Sequence, residues 1–254
     1  MASLLALVLL AGCASDRHEP PFVRRHYQPF ARAEAIAITL REWRLFGQPI
    51  DDDPQALRPE AKPERQAGLW ERVGEYWFLG QDAGAREGAW TGKHDANGTE
   101  FPAGEDGDYA WSAAFVSYVM RVAGAGDRFP YSAAHADYID VAKDVTDGTS
   151  SGPVVSAQRP DRYAPQPGDL ICLGRGASRG LTYDDLPASL FPSHCDIVVA
   201  SEPGRLAVIG GNVDDAVTMK HVPVNAAGLL QDPGGEVVDT RYPWFVVLKV
   251  AYDR

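Results

Sequence analysis

Between Trp111 and Ala123 the chain is apolar on nearly every side, with Ala113, Ala114, Phe115, Val116, Val119, Met120 and Val122 spread around a helical turn. A helix of this kind has no polar face to offer water, so it must be covered from several directions. Any fold available to the chain therefore has this helix at its centre. Gly124-Ala125-Gly126 ends it, since glycine takes the left-handed conformation that closes a helix. Ser112 stands at its beginning.

The segments on either side supply two kinds of cover. Ala31 to Phe46 carries Ala33, Ile36, Ala37, Leu40 and Trp43 at helical spacing and stops before Gly47 and Pro49. A second helix is expected from Arg65 to Leu79, closed by Gly80, and a short one around Ala133 to Ala142. Asp169 to Leu173, Cys195 to Ala200, Leu206 to Ile209, Ala216 to Val222 and Trp244 to Val250 are short apolar or alternating runs bounded by Gly, Pro and Asp, and read as strands. Helices first and strands later point to an α+β domain with an antiparallel sheet. Gln81 to Asp108, rich in Gly, Asp and Asn, reads as a long loop. Asp51-Asp52-Asp53-Pro54 lacks the spacing of a calcium loop and reads as a solvated turn.

The first residues, 1–12, form a short apolar run ending in small residues, below the roughly 20 needed to span a bilayer. This is the core of a signal peptide. Its end, Leu10-Ala11-Gly12-Cys13, resembles a bacterial lipobox, which implies lipidation at Cys13 and anchorage to a membrane. Residues 13–30, with Pro20-Pro21, suit a tether. The expected order is then signal peptide 1–12, tether 13–30, N-terminal helices and long loop 31–100, and the main α+β domain 101–254. The expected location is periplasmic, and Ala14-Ser15 after the lipid site resembles outer-membrane sorting. With 24 basic against 35 acidic residues, net −11, nucleic acid is excluded as a partner on electrostatic grounds. In an oxidising compartment Cys172 and Cys195 are either a disulfide or two buried thiols.

Three segments carry the chemistry. Trp111-Ser112-Ala113-Ala114-Phe115-Val116 opens the buried helix, Ser193-His194-Cys195-Asp196-Ile197-Val198 begins a strand, and Ile209-Gly210-Gly211-Asn212-Val213 ends the next. A helix N-terminus offers unpaired N–H groups and partial positive charge to a developing oxyanion. Ser112 would act there as nucleophile, His194 as general base, and Asn212 as the group that orients the imidazole. The competing reading of Ser112 is a helix N-cap. Asp196 shares the strand face of His194 and lines or holds the site, or else is solvated, whereas Cys195 faces away. His135 and Trp111 are placed at the cleft, Trp111 with Trp90 and Tyr131 as an aromatic platform or as core. No third ligand completes a metal site around His135 and Asp137.

These segments, with the turn Pro167-Gly168-Asp169-Leu170, resemble the bacterial NlpC-type and CHAP-type amidases and peptidases, in which a cysteine stands where Ser112 does. The chain is also similar to a family of bacterial exported proteins of unknown function, number 2272 among the uncharacterised domains. That likeness runs through Trp-Ser-Ala-Ala-Phe, Phe129-Pro130-Tyr131-Ser132, His135, Asp169-Leu170-Ile171-Cys172, Ser193-His194-Cys195-Asp196 and Gly210-Gly211-Asn212. The resemblance implies a papain-like domain, its nucleophile-bearing helix packed on an antiparallel sheet or half-barrel. It implies hydrolysis of amide bonds in peptidoglycan or a related envelope substrate, without cofactor or metal. The alternative is an inactive module that keeps the cleft to bind wall fragments or a protein partner.

Overall fold

A computed structural model describes residues 29–53, 62–80, 93–94 and 99–253. Cys13, Trp90 and the expected signal peptide lie outside the described residues. Four α-helices come first, α1 (Arg32–Leu45), α2 (Trp70–Leu79), α3 (Ser112–Val122) and α4 (His135–Asp147). Six strands follow, β1 (Val155–Gln158), β2 (Leu170–Gly174), β3 (Ser193–Glu202), β4 (Arg205–Val213), β5 (Ala216–Pro223) and β6 (Trp244–Val250). They form one sheet in the order β1-β6-β2-β3-β4-β5, and every pairing is antiparallel. The fold is α+β. Among the described residues no helix is long and apolar enough to cross a membrane.

Helix α3 is central, as its composition demands. Every residue from Ser112 to Met120 is buried. One apolar cluster joins it to Phe30, Ala35 and Ile38 around α1, to Val73, Tyr76 and Trp77 of α2, and to Leu170, Ile197, Ile209 and Val217 of the sheet. Each large side chain so buried contributes about 1.5–3 kcal/mol. Contact between α2 and α3 is close enough that a Cβ at Gly80 would lie 2.1 Å from the Ala114 carbonyl oxygen. The three N-terminal helices are clipped together by the buried Glu42 of α1. Its carboxylate accepts from Arg72 Nε at 3.0 Å and from the Tyr76 hydroxyl at 2.6 Å, while Arg72 also donates to the Tyr118 hydroxyl of α3.

The sheet is covered on both faces. In β2, Leu170 and Cys172 point into the helical cluster, and Ile171 and Leu173 into a second cluster with Val198, Leu206, Val208, Val222 and Trp244. Cys172 and Cys195 are directly opposite in the β2–β3 register and form a disulfide on the helix side, which resolves the two readings of these residues. Two elements depart from expectation. Helix α2 begins at Trp70 instead of Arg65, because Gly68 has φ +85°, outside the helical region, and the preceding Pro63–Arg65 is a separate 3-10 turn. Strand β1 is a four-residue edge strand that pairs only with β6, too short for its alternation to stand out.

Removing the Cys172–Cys195 link, which closes a loop of sequence separation 23, is expected to destabilise the chain by about 3 kcal/mol by releasing the unfolded ensemble. Urea unfolding of the Cys172→Ala/Cys195→Ala double variant measures it; an unchanged midpoint would show that the bond constrains nothing.

Candidate functional site

The site is assembled where α3 and α4 begin and where β3, β4 and β5 run past them. Ser112 is the first residue of α3, and the capping position is occupied by Trp111, which makes no side-chain cap bond. The Ser112 hydroxyl is therefore not spent on closing the helix, as the N-cap reading would have it. It lies 2.6 Å from Nε2 of His135, the first residue of α4. The other ring nitrogen, Nδ1, is hydrogen-bonded to the Tyr138 hydroxyl one turn along the same helix. Ser117 Oγ, donating to the Ser132 carbonyl at 2.9 Å, ties α3 to the segment leading into α4 and fixes where His135 sits. The first-turn amides of α3, from Ser112 to Ala114, have no backbone partner among the described residues, leaving three N–H groups beside the hydroxyl.

A second imidazole faces this pair. The His194 ring lies edge-on to His135 with 5.3 Å between centroids. His194 and Asp196 are two residues apart on β3 and share a face, and His194 Nε2 donates to Asp196 Oδ1 at 2.7 Å. The other carboxylate oxygen, Oδ2, accepts from Lys220 Nζ of β5, also at 2.7 Å. Gly210 of β4 makes room for this chain, since a Cβ there would lie 1.9 Å from Asp196 Oδ1 and 2.8 Å from His194 Nε2. With Nε2 carrying the proton, His194 Nδ1 is an acceptor, and it has no hydrogen-bond partner among the described residues.

Burial sets the protonation states. Ser112, His135 and His194 are 5%, 4% and 5% exposed. Desolvation pushes His135 well below the ordinary histidine value, and the neighbouring His194 adds to it. Desolvation likewise lowers His194, against the pull of Asp196 in the other direction. For Asp196 burial acts upward, but Lys220 and His194 outweigh it and hold the carboxyl below its usual range. The site at neutral pH thus contains two neutral imidazoles and one carboxylate–ammonium pair.

The sequence-derived pairing was Ser112 with His194 and His194 with Asn212. The hydrogen bonds run otherwise: Ser112 meets His135, and His194 meets Asp196, while no hydrogen bond joins Asn212 to His194 among the described residues. Asn212 instead lines, with His194, Lys220, Tyr242, Asp51 and Arg175, a hollow of about 120 Å³ beside the site. Its backbone has φ 55°, as do Asp214 (56°) and Asp215 (57°) in the two-residue β4–β5 turn, where asparagine and aspartate are tolerated better than other side-chain-bearing residues. Trp111 is fully buried and is core, not a platform: its Nε1 donates to Glu64 Oε2 at 2.6 Å, and Lys93 Nζ lies 2.9 Å from Glu64 Oε1. Lys220 was missed by the sequence reading, although its alternation with Val222 on β5 already put it on an inward face. Among the described residues no cluster of His, Cys, Asp or Glu has the arrangement of a metal site.

An uncharacterised protein family conserved in bacteria, DUF2272, matches residues 64–250, and the chain belongs to it. The match starts at Glu64, the partner of Trp111, and takes in every residue of the site. No curated protein and no solved structure matches the chain.

Both buried histidines have folded-state values below the unfolded value near 6.5, so below that pH the unfolded chain binds protons that the folded chain refuses. Stability is expected to be fully present above pH 6.5 and to fall on acidification, by up to about 1.4 kcal/mol per pH unit for each histidine. Urea midpoints between pH 7 and 5 test this, and a flat profile that His135→Gln leaves flat would contradict it. At Asn212 the expected order is Gly close to Asn, with Ala about 1 kcal/mol less stable because of the positive φ. Equal stability of the Ala and Gly variants would remove the backbone argument.

Proposed function

We propose that this DUF2272 member is a papain-like, NlpC-type hydrolase of amide bonds in peptidoglycan or a related envelope substrate, exported and lipid-anchored through Cys13, with Ser112 as its nucleophile. The observation that carries the reading is the 2.6 Å contact between Ser112 Oγ and His135 Nε2 at the start of a buried helix, with the His194–Asp196 pair opposite. A hydroxyl in that position has a base, a third group behind the base, and unpaired amides for an oxyanion, the three parts that serine chemistry demands.

For His135 to accept the hydroxyl proton at Nε2, Nδ1 must carry the other proton and donate it to the Tyr138 oxygen. Its depressed pKa keeps the acceptor nitrogen free at neutral pH. Attack of Oγ on the amide carbonyl forms the tetrahedral oxyanion beside the α3 amides. The proton taken by His135 then passes to the leaving amine as the carbon–nitrogen bond breaks. Water attacks the resulting ester as a base takes its proton, the carbon–Oγ bond breaks, and a proton is returned to Oγ, releasing the acid and restoring the Ser112 hydroxyl. His194 is the second base available, because its bond to Asp196 leaves Nδ1 without a partner among the described residues.

One observation favours the rival reading of a binding module without turnover. Ser112 is nearly inaccessible and does not line the adjacent hollow, whereas His194 and Asn212 do. Substrate must then open the mouth of the site to reach the hydroxyl.

With the chain assayed on peptidoglycan, Ser112→Ala is expected to lower the rate by at least about a thousandfold and His135→Ala by about a hundredfold or more. Retention of activity in His135→Ala with loss in His194→Ala would transfer the role of base to His194. A wild-type chain no faster than Ser112→Ala, beside an active Ser112→Cys, would establish a retired enzyme and end the serine proposal.

A further inference from the structure

Next to the His194 hollow lies a larger one of about 540 Å³, sharing Leu173, Arg175 and Tyr242 with it. Among the described residues its charged lining consists of three arginines, Arg175, Arg179 and Arg241, with no carboxylate. That is unusual ground in a chain of net charge −11, whose general field repels anions. Arg241 is engaged with Asp239 through Nε at 2.9 Å, and its Nη2 donates to the His221 carbonyl at 2.6 Å, so it is a fixed wall. The Arg179 guanidinium makes one long hydrogen bond among the described residues, 3.4 Å, to the Arg241 carbonyl oxygen. The Arg175 guanidinium has no hydrogen bond or ion pair among the described residues, and its backbone is anchored by N–H donation to the Pro192 carbonyl at 2.8 Å.

Arg175 is also the junction of the whole surface. It lines this hollow, the one beneath His194, and a third reaching Lys62 and Asp106 on the far side. Its charge is felt by both His135 and His194. Asn212, whose carboxamide likewise has no hydrogen bond among the described residues, stands on the wall shared by the second and third hollows. The hollow beneath His194 is lined by Asp51 and Asp214, which repel an anion, and by Lys220, whose ammonium is already held by Asp196 at 2.7 Å. Negative charge on a ligand is therefore directed toward Arg175 and Arg179.

We propose that Arg175 and Arg179 form a carboxylate-binding subsite, so that the ligand taken at Ser112 is an acidic peptide with a carboxylate a short distance from the group presented to the hydroxyl. The planar forks of two guanidinium groups that pair with no carboxylate among the described residues match a carboxylate in two-point contact, which a lone ammonium does not. The identification of that ligand as a substrate rests on the hydrolase reading, but binding at the arginines does not.

The test uses the whole chain carrying Ser112→Ala, so that nothing is turned over, titrated with N-acetyl-alanyl-glutamate amide and N-acetyl-alanyl-glutamine amide, which differ in one negative charge. The glutamate peptide is expected to bind at least about tenfold more tightly at low salt, an advantage that shrinks as salt is added. In the Arg175→Gln/Arg179→Gln double variant, shown to unfold at the same urea concentration as its parent, the advantage should vanish. Equal affinity for the two peptides, or an advantage that survives the double variant, overturns the proposal. Inorganic phosphate displacing the glutamate peptide at lower concentration than the peptide itself requires overturns the carboxylate assignment in favour of a phosphate ester. Charge-dependent binding in a chain that hydrolyses nothing would sustain the subsite while removing the hydrolase reading.

Discussion

The closeness with which α3 approaches bare backbone in β4 governs the rest of the molecule. A Cβ on Gly211 would lie 2.6 Å from Phe115 Cβ and 2.9 Å from the Trp111 ring, so the helix rests on the strand where no side chain intervenes. One residue earlier, Gly210 leaves the same kind of space on the opposite side for His194 and Asp196. Two glycines in succession, their missing side chains falling on opposite faces, thus let the helix start and the His194 strand share one small volume. Without that approach Ser112, His135 and His194 would be separated by a layer of side chains.

Crowding polar groups into such a volume has a cost, and the way it is offset is consistent across the fold. Glu42 is met by Arg72, Glu64 by Lys93, and Asp196 by Lys220, each carboxylate being buried with its own cation. Breaking such a pair from one side leaves an uncompensated charge, an effect of about 3–5 kcal/mol, so these pairs specify geometry more than they add stability. Asp169 forms no ion pair among the described residues, although the Arg32 charge is felt there. It accepts instead from the Tyr163 hydroxyl and from the amides of Gln166 and Val250, and desolvation prevails, leaving its carboxyl pushed up. The contrast separates a turn that holds β2 and β6 in register from a site that must keep a fixed negative charge beside an imidazole.

Much of this was legible in the sequence because it follows from short-range pattern. The buried helix, the α+β order and five of the six strands come from apolar spacing alone, and the shared face of His194 and Asp196 comes from the two-residue period of a strand. What was not legible depends on how separate elements meet. His135 is 23 residues from Ser112 and on another helix, so its contact with the hydroxyl is a product of packing between α3 and α4. Asn212 carried a motif resemblance that suggested an orienting side chain, yet its positive φ gives the backbone a reason of its own for asparagine. The end of α4 extends past Ala142 to Asp147 because Lys143 and Asp147 pair across a turn and Gly148 closes the helix with φ 78°, polar signals that an apolar-spacing argument passes over.

On the proposed reading, in which Ser112 stands where an NlpC-type enzyme would carry cysteine, the environment bears on why a serine is compatible with that place. A thiolate–imidazolium site keeps two charges in its resting state, and it needs a histidine whose protonated form is favoured. Here burial disfavours the protonated form of both His135 and His194, and the carboxylate bonded to His194, Asp196, already has Lys220 as its counter-ion. A neutral hydroxyl against a neutral imidazole is the arrangement that such a volume tolerates at rest. Charge would then arise only as the Oγ proton moves, with the α3 amides on one side and the Asp196 carboxylate on the other to receive it. On the proposed reading, the exchange of sulfur for oxygen is thus one element of a site whose serine and imidazoles are neutral at rest and whose one ion pair, Asp196 with Lys220, is internally balanced, and the depth of His135 and His194 is its counterpart.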